Sequence, residues 1–124
     1  MSKFVPDAVI DLLLAGVATA TLMSACDDAS TPTDGNFTAS TLASVAMVAG
    51  HGNSYTIGAG DASGRKVAMD EKAGVSITAT GDAQHIVLSL AGTILDVTTC
   101  TTQTLTSGGT VTFPTWDHEV IDPT

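Results

Sequence analysis

Residues 12–26 read Leu-Leu-Leu-Ala-Gly-Val-Ala-Thr-Ala-Thr-Leu-Met-Ser-Ala-Cys, and their interpretation decides both the fold and the cellular location. An apolar run followed by small residues and a cysteine is typical of an export signal that ends in a lipid-modified cysteine. Such a signal carries a positively charged flank, whereas here Lys3 is offset by Asp7 and Asp11. The run is also shorter than the roughly 20 apolar residues that a membrane span needs. The sequence therefore favours a folded segment over secretion by a signal peptide.

The folded alternative is a helix followed by a strand. Lys3, Asp7 and Asp11 are spaced by four and share one helix face. A second face has the apolar spacing of a buried stripe, which comprises Val9, Leu12, Leu13, Gly16 and Val17. From this pattern we expect the helix to dock its Leu12, Leu13 and Val17 side chains.

The ends of this helix also have local signals. Pro6 suits the first helical position, and Asp7 complements the positive end of the helix dipole. Gly16 is the expected stop. From Val17 onward, β-branched residues alternate with Ala and Leu, which predicts a strand that ends near Cys26.

Composition excludes several classes of partner. With 124 residues the chain is expected to form one domain, with the helix and first strand in 1–26, an acidic loop in 27–36 and a β-rich body in 37–124. Only four residues are Lys or Arg and the net charge is −9, which argues against nucleic acid and anionic membranes. The mean hydropathy of +0.31 suggests that part of the surface is covered by partner proteins.

The remaining segments alternate between short strands and turns. Residues 38–49 fit either a short helix or an irregular strand. The predicted strands are 54–58, 65–70, 75–79, 85–90, 93–99, 102–105, 110–113 and 116–121. We expect hairpin turns at Gly81-Asp82, Ala91-Gly92 and Ser107–Gly109. Turn signals about every ten residues predict a mainly β fold, an antiparallel β-sandwich or barrel-like domain with an N-terminal α-helix.

The chain shows no motif for catalysis, a cofactor or a metal. The glycines at 58, 60 and 64 lack the spacing of a phosphate loop. His51, His85 and His118 are widely separated, and His85 is expected to face solvent together with Val87. On a strand, His118 points away from its neighbours Asp117 and Glu119, so these three do not form a site.

Two other groups have both a chemical and a structural interpretation. Asp27, Asp28 and Asp34 could chelate calcium, but a solvated acidic loop is the preferred interpretation. Cys26 and Cys100 could be neighbours, but without a secretion signal two small buried residues are preferred to a disulfide.

Trp116 is the single tryptophan and stands within a charged segment. It could anchor a protein partner or stack on a sugar of a glycan. The preferred alternative is a tryptophan that closes the edge of the core. Together with Leu12, Leu13 and Val17, it completes the set of candidate interaction residues.

Several segments resemble small virion structural proteins of tailed bacteriophages. The residues that carry this resemblance are 63–67 (SGRKV), 97–111 (VTTCTTQTLTSGGTV) and 114–124 (PTWDHEVIDPT). The N-terminal helix that leads into a strand near Cys26 is also similar to those proteins. No functional site is carried over, because these motifs are turns and strands.

The resemblance implies a non-enzymatic particle component that is made in the cytoplasm of the host bacterium. We expect a capsid decoration or minor head protein that forms homo-oligomers or binds other virion proteins, such as the major capsid protein. The alternatives are a neck, tail or fibre-base component and an extracellular carbohydrate-binding β-sandwich.

Overall fold

The computed structural model describes residues 6–27, 31–61 and 64–120, and these ranges are mainly β-structure. In chain order the elements are α1 (Asp7–Val17), β1 (Leu22–Cys26), α2 (Phe37–Ser40), β2 (Thr41–Ala46), β3 (Tyr55–Ala59), β4 (Arg65–Met69), β5 (Lys72–Ser76), β6 (Gly81–Leu90), β7 (Thr93–Leu105), β8 (Thr110–Phe113) and β9 (Trp116–Val120). The predicted fold class, mainly β with an N-terminal helix, is confirmed.

The described strands form three antiparallel sheets. The four-stranded sheet has the order β2-β1-β6-β7, the three-stranded sheet the order β3-β4-β9, and the two-stranded sheet pairs β5 with β8. An isolated bridge between Ala43 and Ile77 links the first of these sheets to the third. Three of the six strand pairs, β1 with β6, β4 with β9 and β5 with β8, therefore join strands that are distant in the sequence.

Alternation along β1 sends its side chains to two separate cores. Met23 and Ala25 lie in the main core, which α1 and the other two sheets also line. Cys26 points to the opposite, outer face of the four-stranded sheet, where it packs with Phe37 and Val87 in a second, smaller cluster. Side chains on both faces of the central strands are packed, so four of the five residues of β1 and six of the ten residues of β6 are buried.

The buried stripe of α1 differs from the predicted one. Ile10 and Leu14 are each 1% exposed, whereas the exposures of Val9, Leu12 and Leu13 are 45%, 74% and 62%. The prediction was wrong because α1 is apolar almost all round, so apolar spacing does not select one face. The contact of Asp11 with Arg65, described below, distinguishes the two sides of the helix. Lys3, the third member of the predicted charged face, lies outside the described residues.

Both ends of α1 also differ from the prediction. Pro6 is the cap rather than the first helical residue, and its carbonyl oxygen accepts hydrogen bonds from the N–H groups of Val9 and Ile10. The helix continues through Gly16 to Val17. The Thr19 hydroxyl donates a 2.7 Å hydrogen bond to the Gly16 carbonyl. This closing turn delays the first strand to Leu22.

Most of the other predicted strands coincide with an observed strand, but two predictions were wrong. The predicted strands 93–99 and 102–105 are one continuous strand, β7, and the predicted strand 75–79 shares only residues 75 and 76 with β5. Residues 38–49 contain both of the expected alternatives, since most of α2 precedes β2 within them. The Ala91-Gly92 turn is confirmed, with both residues at positive φ. The predicted turn at Gly81 and Asp82 is wrong, because these residues lie inside β6 opposite Leu105 and Thr104.

The Ser107–Gly109 turn is present but does not form a hairpin. The strand before it, β7, pairs with β6, and the strand after it, β8, pairs with β5. The turn therefore carries the chain from one sheet to another. A glycine-rich turn specifies a change of direction, and which strands pair depends on packing elsewhere.

The long strand β7 stands at an edge of the four-stranded sheet. Two of its N–H groups are bonded to carboxylates: Ile94 donates to Asp34 at 2.8 Å and Val97 donates to Asp96 at 3.0 Å. Carboxylates that occupy backbone donors make a strand edge a poor template for another strand.

Candidate interaction surface

The most unusual surface of the described chain is the outward side of α1. We call it the helix face, and it consists of Ala8, Val9, Leu12, Leu13, Ala15 and Gly16, all of which are exposed. At 100° per residue these positions form one continuous half of the helix. Single exposed leucines are ordinary, whereas a half-helix without a polar side chain is a candidate contact surface.

The two acidic residues of α1 lie outside the helix face. Asp11 accepts hydrogen bonds from Arg65 on β4, at 2.8 Å from Nε and 3.3 Å from Nη2. This bidentate pair raises the pKa of Arg65, mainly through the hydrogen bond to Asp11, and Asp7 adds a smaller attraction. The Asp11–Arg65 contact fixes the rotation of α1, which turns Ile10 inward and Leu12 outward.

The predicted interaction residues fall into two groups. Leu12 and Leu13 are exposed on the helix face, whereas Val17 and Trp116 pack against the main core. Trp116 is half-buried, and its indole N–H is buried without a hydrogen-bond partner among the described residues. The interpretation of Trp116 as closing the core edge is confirmed.

A contact between a histidine and a carboxylate that the sequence did not indicate lies between two sheets. Nδ1 of His118 on β9 is 3.1 Å from Oδ2 of Asp96 on β7, and the Asp96 side chain is only 10% exposed. Burial raises the pKa of Asp96, and the attraction of His118 and the Val97 N–H offset that rise in part. A single Asp within the strand TILDVTT was the only available signal.

The neighbours of His118 point elsewhere, as strand alternation predicted. Asp117 lies 3.7 Å from Nζ of Lys66, and Glu119 accepts a hydrogen bond from the Asp61 N–H. Lys66 also pairs with Asp61 at 2.7 Å, and this hydrogen bond is the main reason that the pKa of Lys66 is raised. These groups form a solvated charge cluster on the outer side of the three-stranded sheet.

The other two histidines have structural contacts. His85 was predicted to face solvent, which is wrong, because it is buried on the outer face of the four-stranded sheet with Cys26 and Val87. That face is covered by Phe37. Nδ1 of His51 accepts a 2.9 Å hydrogen bond from the Ile57 N–H.

One carboxylate of the acidic loop makes a structural contact. Asp34 accepts the Ile94 N–H, and Asp28 lies outside the described residues. Within the ranges 6–27, 31–61 and 64–120, no three His, Cys, Asp or Glu side chains come together as metal ligands.

The two cysteines lie on opposite faces of the four-stranded sheet. The Cys26 thiol contacts the Phe37 carbonyl at 3.7 Å on the outer face. Cys100 packs against the main core, where burial raises the pKa of its thiol. No disulfide joins them, as expected, because the sheet separates their side chains.

In the described ranges, no helix is both long and apolar enough to cross a membrane. No protein-family model, no curated protein and no solved structure matches the chain.

Proposed function

We propose that this protein is a non-enzymatic structural subunit of a tailed-bacteriophage virion, a capsid decoration or minor head protein that docks through the helix face. The observation that carries the proposal is the exposure of Val9, Leu12 and Leu13 on one uncharged side of α1. The resemblance in the C-terminal half supplies the setting, and the helix face supplies a means of attachment.

The spacing of the exposed residues defines the partner surface. Val9, Leu12, Leu13 and Gly16 stand at i, i+3, i+4 and i+7, the pattern by which a helix fills an apolar groove. The partner must therefore offer an uncharged groove about 13 Å long, since the residues from Ala8 to Gly16 rise by about 1.5 Å each. The small residues Ala8, Ala15 and Gly16 allow the groove walls to approach the helix backbone closely.

The energy of one such contact suits a repeating particle. Full burial of a leucine side chain stabilises by about 1.5–3 kcal/mol, and only part of each exposed side chain remains to be buried. The contact of one copy is therefore weak. On a symmetric shell, copies also contact each other, and the binding free energies of these contacts add to that of the helix face. A lattice therefore holds subunits that would bind only weakly as single copies.

The first test is the composition of the particle. Purified virions should contain this chain in many copies, in a ratio to the major capsid protein that follows shell symmetry. A few copies per particle would instead support the neck, tail or fibre-base alternative. Absence from the particle in quantitative mass spectrometry would refute both.

The second test addresses the helix face itself. Leu12→Glu with Leu13→Glu places two charges in the contact and should abolish incorporation into particles, while circular dichroism and melting stay near wild type. Thr102→Glu adds one charge at an exposed position of β7 and serves as the control. Normal incorporation of the double variant would show that docking uses another surface.

A further inference from the structure

A groove of about 530 Å³ lies on the outer face of the four-stranded sheet, away from the main core. Most residues that line it carry hydroxyl groups, among them Thr21, Ser24, Thr41, Ser44, Thr78 and Ser89. Phe37 of α2 and the Ala91-Gly92 turn also line it. Its volume falls in the range of about 300–1,000 Å³ that is typical of small-molecule sites.

Ser24 is the distinctive residue of this groove. Its neighbours Met23 and Ala25 point into the main core, so the Ser24 side chain points to the outer face, where the groove lies. Ser24 is fully buried, and Oγ has no hydrogen-bond partner among the described residues. An unsatisfied buried hydroxyl is costly, which makes it a group that gains from a bound partner.

The hydroxyls around Ser24 are arranged as a small array. Ser44 on β2 is the direct cross-strand neighbour of Ser24, and Ser89 lies on β6, the other strand beside β1. Thr41 already donates to the Phe37 carbonyl at 2.8 Å and so keeps its acceptor lone pairs for a ligand. The array therefore offers both donors and acceptors.

The absence of charge narrows the class of ligand. No Asp, Glu, Lys, Arg or His of the described ranges lines the groove. A metal ion or an anion would find no counter-charge, whereas a neutral molecule with several hydroxyls would match the array. Leu22 and Phe37 supply apolar surface for the carbon atoms of such a molecule.

We propose that this groove binds a neutral saccharide, with Ser24 and Ser44 as hydrogen-bonding residues. The site is separate from Trp116, whose ring packs against the main core. It is also independent of the proposed virion role, since particle incorporation tests the helix face and sugar binding tests the groove.

The test is a titration of the ¹⁵N-labelled full chain with D-glucose, D-galactose and D-mannose, followed by amide chemical shifts. At least one of these sugars should give saturable shifts clustered at residues 22–24, 44 and 89. The charged D-glucuronate should bind about tenfold more weakly or not at all, because the carboxylate would lose water without gaining a counter-charge. Absence of saturable shifts with all three neutral sugars would overturn the proposal.

The variant Ser24→Ala distinguishes a role of Ser24 in sugar binding from a role in the stability of the fold. Removal of an unsatisfied buried hydroxyl should leave thermal stability equal or higher, while sugar affinity falls about tenfold, the effect of one lost hydrogen bond. Ser44→Phe, at an exposed position, should block the groove if the first variant folds poorly. Ser76→Ala on β5 and Trp116→Phe are the controls and should bind as wild type; unchanged affinity in both groove variants would refute the assignment.

Discussion

Nδ1 of His118 lies 3.1 Å from Oδ2 of Asp96, and this contact joins β9 of the three-stranded sheet to β7 of the four-stranded sheet. The carboxylate is nearly buried, and its pKa is raised because burial outweighs the attraction of His118. A raised pKa means that the folded state favours protonated Asp96. Its ionisation at neutral pH therefore works against the fold.

Asp96→Asn should accordingly be at least as stable as wild type at pH 7. The difference in the free energy of unfolding should shrink as the pH falls from the raised pKa of Asp96 towards the ordinary value of about 4, because the folded wild type then protonates Asp96 and no longer buries a charge. Urea unfolding between pH 4 and 8 measures this difference. Asp117→Asn, at an exposed carboxylate, is the control. A marked loss of stability in Asp96→Asn at pH 7 would show that the contact with His118 outweighs the cost of burying the Asp96 carboxylate.

The two sides of α1 should respond differently to truncation. Leu14→Ala removes a fully buried side chain and should cost about 2–5 kcal/mol of stability. Leu12→Ala changes a side chain that is 74% exposed and should fall within about 0.5 kcal/mol of wild type. Chemical denaturation of the two variants compares them directly, and equal losses would contradict the observed rotation of the helix.

Tyr55 should act as a structural hydrogen-bond donor and as a reporter of alkaline unfolding. Its hydroxyl donates a 2.8 Å bond to the Ala20 carbonyl, and burial raises the pKa of Tyr55 to about 12. Tyr55→Phe should cost about 1–2 kcal/mol near neutral pH, because the Ala20 carbonyl loses its partner.

The pH dependence of this group has a definite sign. The wild type should lose stability as the pH rises from about 10 to about 12, since only the unfolded chain ionises its tyrosine in that window. Tyr55→Phe should not show this loss. Tyr55 is the sole tyrosine, so absorbance near 295 nm follows its titration alone; titration near pH 10 in the folded state would contradict its burial.

The turn between β6 and β7 should be open to stabilisation. Ala91 has a φ of +51°, a conformation that is energetically unfavourable for a residue with a Cβ atom. Gly92 follows with a φ of +85°. Ala91→Asn creates the Asn-Gly pair that such turns prefer. It should increase the free energy of unfolding by about 0.5–1 kcal/mol, which a higher melting temperature would show. Gly92→Ala is the matched opposite and should destabilise. Lower stability in both variants would show that this turn has a different conformation.

Local features of this fold could be predicted from the sequence, and non-local ones could not. Alternation identified most strands, and the Ala91-Gly92 turn followed from turn chemistry. The partner of β8 was missed because its pairing with β5 depends on packing rather than on the glycine-rich turn beside it. The buried side of α1 was missed because Ile10 and Leu12 are equally apolar in the sequence. Only the contact of Asp11 with Arg65 in the folded chain distinguishes the side that is buried.

The candidate sites show the same division. Leu12 and Leu13 were predicted as interaction residues because large apolar side chains are visible in a sequence. Ser24 was not, since a serine in a strand has no local signature of burial. Only the alignment of β1 with β2 and β6 places Ser24 directly opposite Ser44 and on the same face of the sheet as Ser89.

The central position of β1 has a consequence for how the chain is made. Residues 22–26 bond to residues 85–89, and residues 65–69 bond to residues 116–120, so neither of the larger sheets can be completed by a short nascent chain. During synthesis β1 and β4 must therefore remain without these partners, with their apolar surface exposed, until β6 and then β9 leave the ribosome. Such long sequence separations slow folding, and the apolar surface that stays exposed during the delay makes the incomplete chain prone to aggregation.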